Sequence, residues 1–359
     1  MLHRKRIEQL REMMKEKYNF GVYVTSPENV FYLSGFTGFG DARLLIGRTN
    51  AWLITDSRYT VQAAEECPEY TLVTANAENP AALEALLRNE TICTLGFENE
   101  RIAYRDYKVL KERCDFVQLT ELNGYFTELR DVKEEQELFC IEKACRIACC
   151  SLHEVLDFIR PGTAESEIAA ELEYRMRKNG ASGKSFETIV ASGKRSAMPH
   201  GVASDKKIEN GDAVTIDFGC IYKHYCSDMT RTFFVGQPDA ELERIYHIVY
   251  EAQIAAMEGY RFGMTGAELD GISREIIAGK GYGSNFGHSL GHGVGIEIHE
   301  GAAISRRNTE AIRKDTVFSI EPGIYVEGLG GVRIEDLVAA GENGLRILTA
   351  DFDKKMLVL

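Results

Sequence analysis

Apolar and polar positions alternate with two different periods along the first part of the chain. Residues 4–18 carry apolar side chains at helical intervals, which predicts an amphipathic helix. Residues 21–25 then form a short run of β-prone residues. Ser26 followed by Pro27 predicts the start of a second helix, since a hydroxyl caps free amide groups and proline suits the first helical turn.

A predicted hairpin follows, because the apolar runs 43–46 and 51–55 are separated by a short turn-forming segment. Asp56 or Ser57 is a candidate cap for a helix that continues to about residue 66. Strand and helix patterns alternate as far as about residue 125. We therefore predict that residues 1–125 form an α/β domain.

The remaining chain begins with a long helical pattern and contains an internal repeat. Residues 122–131 resemble a connection, and the helical periodicity over 133–159 ends at Pro161 and Gly162. We predict a second domain over 132–359. Two copies of a helix-then-strands unit are indicated by residue pairs that recur at one constant offset, namely Gly162 with Gly263, Glu167 with Glu268, and Gly180 with Gly281.

Four acidic residues are unusual because they occur in segments rich in Val, Ile, Phe and Thr. Asp217 and Asp228 belong to one pair of β-prone segments, and Glu321 and Glu335 belong to a second pair one repeat later. A carboxylate inside a strand among apolar neighbours loses its hydration, which is costly unless a cation or a hydrogen-bond network compensates. The pattern predicts a metal site where the two halves of the repeat meet.

Histidines near these acids complete the candidate site. His288 and His292 lie four residues apart in a glycine-rich segment, and only one of them is needed as a ligand. His200 and His299 each shortly precede one of the acidic segments. Four carboxylates and one imidazole fit a pair of Mn, Co or Zn ions better than a single structural zinc. Two ions about 3.5 to 4 Å apart activate water, which indicates hydrolytic chemistry.

Composition excludes several other functions. The net charge of −13 disfavours binding to nucleic acid or to an anionic membrane surface, and no apolar run is long enough for a membrane span. The N-terminal residues lack the uninterrupted apolar stretch of a signal peptide, and the nine cysteines lack paired metal-binding spacing. We expect a cytoplasmic homodimer with reduced thiols.

Seven short motifs together resemble the proline-directed metallopeptidases of the pita-bread fold, aminopeptidase P and prolidase. They are Met198-Pro199-His200-Gly201, Asp217-Phe218-Gly219, Asp228-Met229-Thr230-Arg231-Thr232, Gly291-His292-Gly293-Val294-Gly295, Ile298-His299-Glu300, Ile320-Glu321-Pro322-Gly323-Ile324-Tyr325 and Gly331-Val332-Arg333-Ile334-Glu335-Asp336. Two further motifs, Ser26-Pro27-Glu28-Asn29 and Asp56-Ser57-Arg58-Tyr59, resemble the N-terminal domain of the same family. The resemblance implies an α/β creatinase-like N-terminal domain followed by an α+β pita-bread domain with an internal pseudo-two-fold repeat.

The same resemblance implies a dinuclear site and a peptide substrate. Its metal ligands are expected to be Asp217, Asp228, His292, Glu321 and Glu335, with Asp228 and Glu335 bridging. Its catalytic residues are expected to be His200, His288, His299, Glu321 and Arg333. The implied reaction is hydrolysis of the bond before proline in short peptides. Creatinase shares the fold but lacks the ligands, and methionine aminopeptidase usually lacks such an N-terminal domain.

Three questions remain open at the level of sequence. We give a slight preference to an Xaa-Pro aminopeptidase over an Xaa-Pro dipeptidase, and a non-catalytic peptide-binding module is the alternative of another class. Arg333 either binds the free carboxylate of a dipeptide or orients the metal-binding carboxylates. The family usually continues His-Glu-x-Pro, whereas Glu300 is followed here by Gly301 and Ala302, so we expect a more flexible loop after His299.

Overall fold

The computed structural model describes residues 2–15, 19–76, 80–301 and 303–359, and the chain divides into two compact units. The first unit spans Met1–Leu129 and the second spans Arg130–Leu359. No helix in the described ranges is both long and apolar enough to cross a membrane.

The first unit is an α/β domain built on one six-stranded sheet. Its strands are β1 (Phe20–Val24), β2 (Ala42–Gly47), β3 (Ala51–Thr55), β4 (Thr71–Thr74), β5 (Thr94–Phe97) and β6 (Gln118–Glu121). Its helices are α1 (Leu2–Met13), α2 (Pro27–Ser34), α3 (Thr60–Glu66), α4 (Pro80–Asn89) and α5 (Tyr104–Arg113), and α6 (Tyr125–Asp131) contains the boundary with the second unit. The strand order is β4-β3-β2-β1-β5-β6, in which β1–β2 and β2–β3 are antiparallel and the other pairs are parallel.

Most local predictions for this unit are confirmed. Strands β2 and β3 form the predicted hairpin, and the side chain of Ser26 accepts a hydrogen bond from the amide of Asn29 at 3.2 Å, as a helix cap does. Helix α1 covers the first part of the predicted helix over 4–18, whose last residues, 16–18, lie outside the described residues.

Two local predictions for this part of the chain are wrong. Neither Asp56 nor Ser57 caps a helix, because α3 begins only at Thr60 and the Asp56 carboxylate accepts hydrogen bonds from Arg58 instead. The segment 122–131 is not a plain connection, since it contains α6. That helix has only seven residues, and its buried side chains Phe126 and Arg130 lie four positions apart on one face.

In its described residues, the second unit contains four long helices and several small antiparallel sheets. Its helices are α7 (Glu135–Val155), α8 (Glu165–Lys178), α9 (Ala240–Gly259) and α10 (Gly266–Gly279). Its first strands are β7 (Gly183–Lys184), β8 (Ile189–Ser192), β9 (Ala213–Phe218), β10 (Cys220–Tyr222), β11 (Tyr225–Cys226) and β12 (Met229–Phe234). The later strands are β13 (Gly291–His292), β14 (Ala303–Ile304), β15 (Val317–Ile320), β16 (Gly323–Val326), β17 (Gly330–Arg333), β18 (Asp336–Gly341) and β19 (Gly344–Ile347).

These elements form two similar halves, each with its own core. In the first half, apolar side chains of α7 and α8 pack against the sheet β12-β9-β8. In the second half, those of α9 and α10 pack against strands that include β15, β17 and β18. Gly162 and Gly263, which match in the predicted repeat, have nearly equal φ values of 91° and 89°. A positive φ strongly favours glycine, so the repeat conserves a backbone requirement.

Candidate metal centre

Only one of the four acids lies inside a strand, which corrects the sequence-based picture. Asp217 is in β9 and is paired with Thr230 of β12. Asp228 immediately precedes β12, Glu321 immediately follows β15, and Glu335 lies between β17 and β18. The ends of antiparallel strands bring these residues together, because Ile320 of β15 pairs with Asp336 of β18. The ends of these strands therefore place the four carboxylates close together.

All nine residues singled out from the sequence line one cavity of about 560 Å³ in the second unit. They are His200, Asp217, Asp228, His288, His292, His299, Glu321, Arg333 and Glu335. Apolar residues such as Phe186, Ile189 and Ile298 complete the wall. A cavity of this size and mixed lining is typical of small-molecule sites.

His292 presents one ring nitrogen to the acids. Its Nδ1 atom lies 3.2 Å from the carbonyl oxygen of Gly293, and a carbonyl only accepts, so Nδ1 carries the hydrogen. The lone pair is therefore on Nε2, which lies 3.5 Å from a carboxylate oxygen of Asp228 and 3.5 Å from one of Glu321. Burial, followed by the positive charge of His299, lowers the pKa of His292 to about 4. A neutral imidazole facing two carboxylates is the arrangement of a metal ligand.

The acids themselves are held in an environment that disfavours their charge. Burial, followed by the negative charge of Glu335, raises the pKa of Asp228 well above its usual range. Burial, followed by the charge of Glu321, likewise raises the pKa of Glu335. Burial also raises the pKa of Glu321 to about 7, although the guanidinium of Arg333 opposes this increase. Additional positive charge would stabilise the ionised carboxylates.

Arg333 lies in the middle of this cluster and is almost fully buried. Its Nη2 donates to Asp217 at 2.7 Å, its Nη1 donates to the hydroxyl of Tyr325 at 2.7 Å, and its Nε donates to Thr230 at 3.1 Å. The hydroxyl of Thr230 in turn donates to Glu335 at 2.7 Å. Arg333 thus contacts one candidate ligand directly and a second through a single hydroxyl.

A second chain of hydrogen bonds extends from Arg333 to the cavity wall. The Tyr325 hydroxyl, which accepts from Arg333, lies 3.0 Å from Nε2 of His288, and Nδ1 of His288 lies 2.8 Å from the carbonyl oxygen of Ser289. Both nitrogens of His288 therefore have protein partners. Burial, followed by the charge of Arg333, lowers the pKa of His288 to about 4.

His200 and His299 differ from His288 because they are exposed to the cavity mouth. The ring of His299 packs edge-on against His292, with centroids 4.0 Å apart and an angle of 78° between the planes. Burial, followed by the charge of His200, lowers the pKa of His299. The loop beyond His299 includes Ala302, which lies outside the described residues, so the expected flexibility of that loop stays a prediction.

Thr230 and Tyr325 lie within the sequence motifs given above but were assigned no role there, and Ser319 was not identified from the sequence. The hydroxyl of Ser319 donates to Glu321 at 3.1 Å and accepts from the amide of His292 at 3.1 Å. Strand periodicity was an available signal for two of these residues. Ser319 and Thr230 each lie two positions from a candidate ligand, and such residues lie on the same face of a strand.

The donor set fits divalent metal ions by two observations. One potential ligand atom from each of Asp228, His292 and Glu335 lies within 4.8 Å of the others, and carboxylate oxygen with imidazole nitrogen suits Mn, Co and Zn. The Oδ1 atom of Asp217 is buried and has no hydrogen-bond partner within the described ranges. A buried carboxylate oxygen without a partner is expensive, and a cation in the cavity would satisfy it.

Fold and site together define a class of protein. An α/β domain followed by a pseudo-two-fold α+β domain, with carboxylates and an imidazole at its centre, is the architecture of the pita-bread metalloenzymes. The chain belongs to metallopeptidase family M24, whose model matches residues 140–342, and the model of the creatinase/prolidase N-terminal domain matches residues 6–132. The family confirms the predicted two-part fold and the need for divalent metal ions.

Full-length relatives support the same assignment. An Xaa-Pro dipeptidase of Pyrococcus furiosus is 42% identical over 346 residues, which cover 96% of this chain and 98% of that protein. The structure of an Xaa-Pro dipeptidase from Bacillus anthracis matches with a TM-score of 0.95 and 40% identity, and covers 99% of this chain and 100% of that chain. The structure of an X-Pro aminopeptidase from Thermotoga maritima matches with a TM-score of 0.91 and 41% identity, and covers 98% of this chain and 99% of that chain.

Proposed function

We propose that this chain is an Xaa-Pro dipeptidase, which hydrolyses the bond before proline in dipeptides. The observation that carries the proposal is the convergence of four carboxylates and the neutral imidazole of His292 on one cavity. The names of the dipeptidase relatives favour a dipeptide substrate over our sequence-based preference for an aminopeptidase. A non-catalytic module is disfavoured, because such a site has no reason to keep several buried carboxylates around one imidazole.

Two divalent ions, with Mn preferred over Co or Zn, are proposed to be held by five side chains. These are Asp217, Asp228, His292, Glu321 and Glu335, which all line the cavity and would hold the ions. When bound, the ions supply Lewis-acid polarisation of the scissile carbonyl and a lowered pKa for the attacking water. Arg333 holds Asp217 directly and Glu335 through Thr230, which supports its role in orienting the carboxylates.

The remaining residues act on the substrate. Glu321 accepts a proton from the attacking water, since its carboxylate faces the cavity and hydrogen-bonds only to Ser319 within the described residues. His200 and His299 line the cavity mouth and stabilise the tetrahedral intermediate and the leaving nitrogen. His288 acts through Tyr325, because both of its ring nitrogens already have partners.

An Xaa-Pro aminopeptidase is the second candidate, and one feature of the cavity favours it. A dipeptide ends in a carboxylate next to the proline, and a cation would recognise that group best. Among the described residues that line the cavity, Arg333 is the only arginine or lysine, and each of its three nitrogens already donates to a protein group. The ring nitrogens of His200 and His299, which line the same cavity, are then candidate donors for a carboxylate.

Peptides that differ by one residue distinguish the two candidates. Purified protein with Mn²⁺ is given Ala-Pro, Ala-Pro-Ala and the control dipeptide Ala-Ala, and products are separated by chromatography. We expect kcat/KM for Ala-Pro to exceed that for Ala-Pro-Ala by at least about tenfold, which corresponds to about 1.4 kcal/mol of transition-state binding. Preferential cleavage of Ala-Pro-Ala would establish the aminopeptidase alternative, and metal binding without cleavage of either peptide would favour the binding module.

Glu335→Gln is the matched inactive variant, because a neutral amide is a poor bridge between cations. It should abolish cleavage of every peptide while the far-ultraviolet circular dichroism stays that of the wild type.

The expectation of a cytoplasmic homodimer also remains a proposal. Sedimentation equilibrium tests the oligomeric state, with a mass of twice 40.2 kDa as the expected result.

A further inference from the structure

A largely buried cluster of four charged residues includes the two acids of the loop that carries His299. Arg130 and Lys133 provide the cations, and their side chains are 5% and 1% exposed. Glu297 and Glu300 provide the anions and lie on either side of Ile298 and His299. None of these four residues is among the described residues that line the cavity, and the proposed reaction does not use them.

Arg130 connects both acids at once. Its Nη1 lies 3.0 Å from Glu297, and its Nη2 donates to Oε2 of Glu300. The other oxygen of Glu300 lies 3.1 Å from the ammonium of Lys133. A planar guanidinium holds two carboxylates in a fixed relative position, which an ammonium group does not do.

Hydrogen bonds within the loop of residues 293–300 restrict its backbone, in addition to the contacts that Arg130 and Lys133 make with its acids. The amide of Glu297 donates to Oε2 of Glu300 at 3.0 Å, and the amide of Glu300 donates to the carbonyl oxygen of Gly293 at 3.0 Å. A Cβ atom on Gly295 would lie 2.0 Å from Oε1 of Glu300, so the backbone approaches the carboxylate more closely than any other residue would allow. Little freedom is left to the backbone between these points.

His299 emerges from this closed loop and packs against His292, a candidate metal ligand. We infer that Arg130 is a positioning residue, which holds the His299 ring at the cavity mouth through its bonds to Glu297 and Glu300. The inference rests on the proposed function only where it concerns turnover. Arg130 is not among the described residues that line the cavity, and we expect its effect to pass through the position of His299.

Imidazole signals measured by nuclear magnetic resonance test the position of His299 without turnover. The chain has eight histidines, and selective ¹³C labelling resolves them, with His299→Gln identifying the signal. Arg130→Gln should shift the signals of His299 and His292, whereas that of His153, which bonds to the carbonyl oxygen of Asp351, should not move. Arg130→Lys should give a smaller shift, since one ammonium replaces a two-armed donor.

Kinetics on Ala-Pro provide the second readout. Arg130→Gln should lower kcat by between about tenfold and about a hundredfold, the range expected when a group at the reacting centre is displaced, and should change KM by less than about threefold. The matched control is Arg313→Gln, which removes a half-exposed cation paired with Asp131 in the same region. This control should keep the wild-type kcat and the wild-type His299 signal.

If Arg130→Gln does not fold, Glu297→Gln provides the test instead. The Glu297→Gln variant removes one anion and leaves the bonds between Arg130 and Glu300 in place. It should shift the His299 signal in the same direction by a smaller amount. A folded Arg130→Gln or Glu297→Gln protein with an unshifted His299 signal, or with unchanged kcat, would overturn the inference. If the wild type does not cleave Ala-Pro while the signals shift as expected, the proposed reaction fails and the positioning role stands.

Discussion

Replacing Glu321 by glutamine should stabilise the metal-free protein at neutral and alkaline pH. The carboxylate is 16% exposed, and burial raises its pKa to about 7 from an ordinary value of 4.5. Because the pKa of this carboxyl group is higher in the folded state than in the unfolded state, its contribution to the free energy of unfolding is fully present below the unfolded-state pKa. That contribution is lost as the pH rises through the folded-state pKa. The affected window is therefore from about pH 4.5 to about pH 7 and slightly above.

The size of the effect follows from the same values. Each pKa unit corresponds to about 1.4 kcal/mol, so the ionised Glu321 costs the metal-free folded protein about 3 kcal/mol above pH 7. Glutamine has nearly the same shape and carries no charge at any pH. The Glu321→Gln variant should match the wild type near pH 4.5 and exceed its stability by about 3 kcal/mol at pH 8, with a chelator present.

Divalent ions should remove most of this difference. An ion present at a hundred times its dissociation constant stabilises the folded wild type by about 2.7 kcal/mol, and the variant, which lacks one proposed ligand, gains less. The stability advantage of the variant at pH 8 should therefore fall from about 3 kcal/mol towards zero when Mn²⁺ replaces the chelator. A variant with a merely better-packed site would keep its full advantage under both conditions.

The assay must report on the second unit alone, because a chain of two units need not unfold in one step. Hydrogen exchange of peptides from β9, β12, β15 and β18 meets this need. Glu342→Gln is the control, since this exposed acid lies in the turn between β18 and β19, away from the cavity, and should change stability by less than about 0.5 kcal/mol. If Glu321→Gln is less stable than the wild type at pH 8 without metal, the electrostatic account of the site is wrong.

Three further predictions concern single side chains. Asp228→Asn should abolish turnover in a folded protein, and retained turnover at full metal occupancy would contradict its bridging role. Arg333→Lys should lower kcat/KM by about 10- to 100-fold, because an ammonium cannot reproduce the three directed bonds of the guanidinium, and steady-state kinetics measure this loss. In an alkylation time course on native protein, the two exposed thiols, those of Cys93 and Cys150, should react first. In denatured, unreduced protein, all nine cysteine thiols should react. Cysteines that stay unreactive under these conditions would contradict the expected reducing compartment.

Local patterns predicted the first unit well where one residue type dictates the backbone. The β2–β3 hairpin follows from two apolar runs and a short turn, and the α2 cap follows from the hydroxyl of Ser26. The cap proposed for α3 failed because Asp56 has a competing partner two residues away, Arg58. A single sequence does not reveal which of two equally local hydrogen bonds is formed.

The candidate site could be predicted as a set of residues but not as a geometry. Glu335 and Asp336 are adjacent acids with similar exposure, yet only Glu335 faces the cavity. Asp336 instead binds Arg231 at 2.7 Å and Lys354 at 2.6 Å, and these cations lower its pKa against the effect of burial. Alternation along a strand assigns the two acids to opposite faces, but only the tertiary structure identifies the face with the cations.

The repeat explains the fold and the paired carboxylates better than it explains the cation of the site. Glu167 and Glu268 each accept a hydrogen bond at 2.8 Å from the backbone amide at the start of the equivalent helix. The acids differ between the halves, and the position two residues before the acid is Cys226 in one half and Arg333 in the other. A fully symmetric site would treat both directions of a peptide alike, yet a peptide has distinct ends. The buried cation of the second half, Arg333, breaks the symmetry of the carboxylate cluster through its ion pair with Asp217, and a directional substrate requires an asymmetric site.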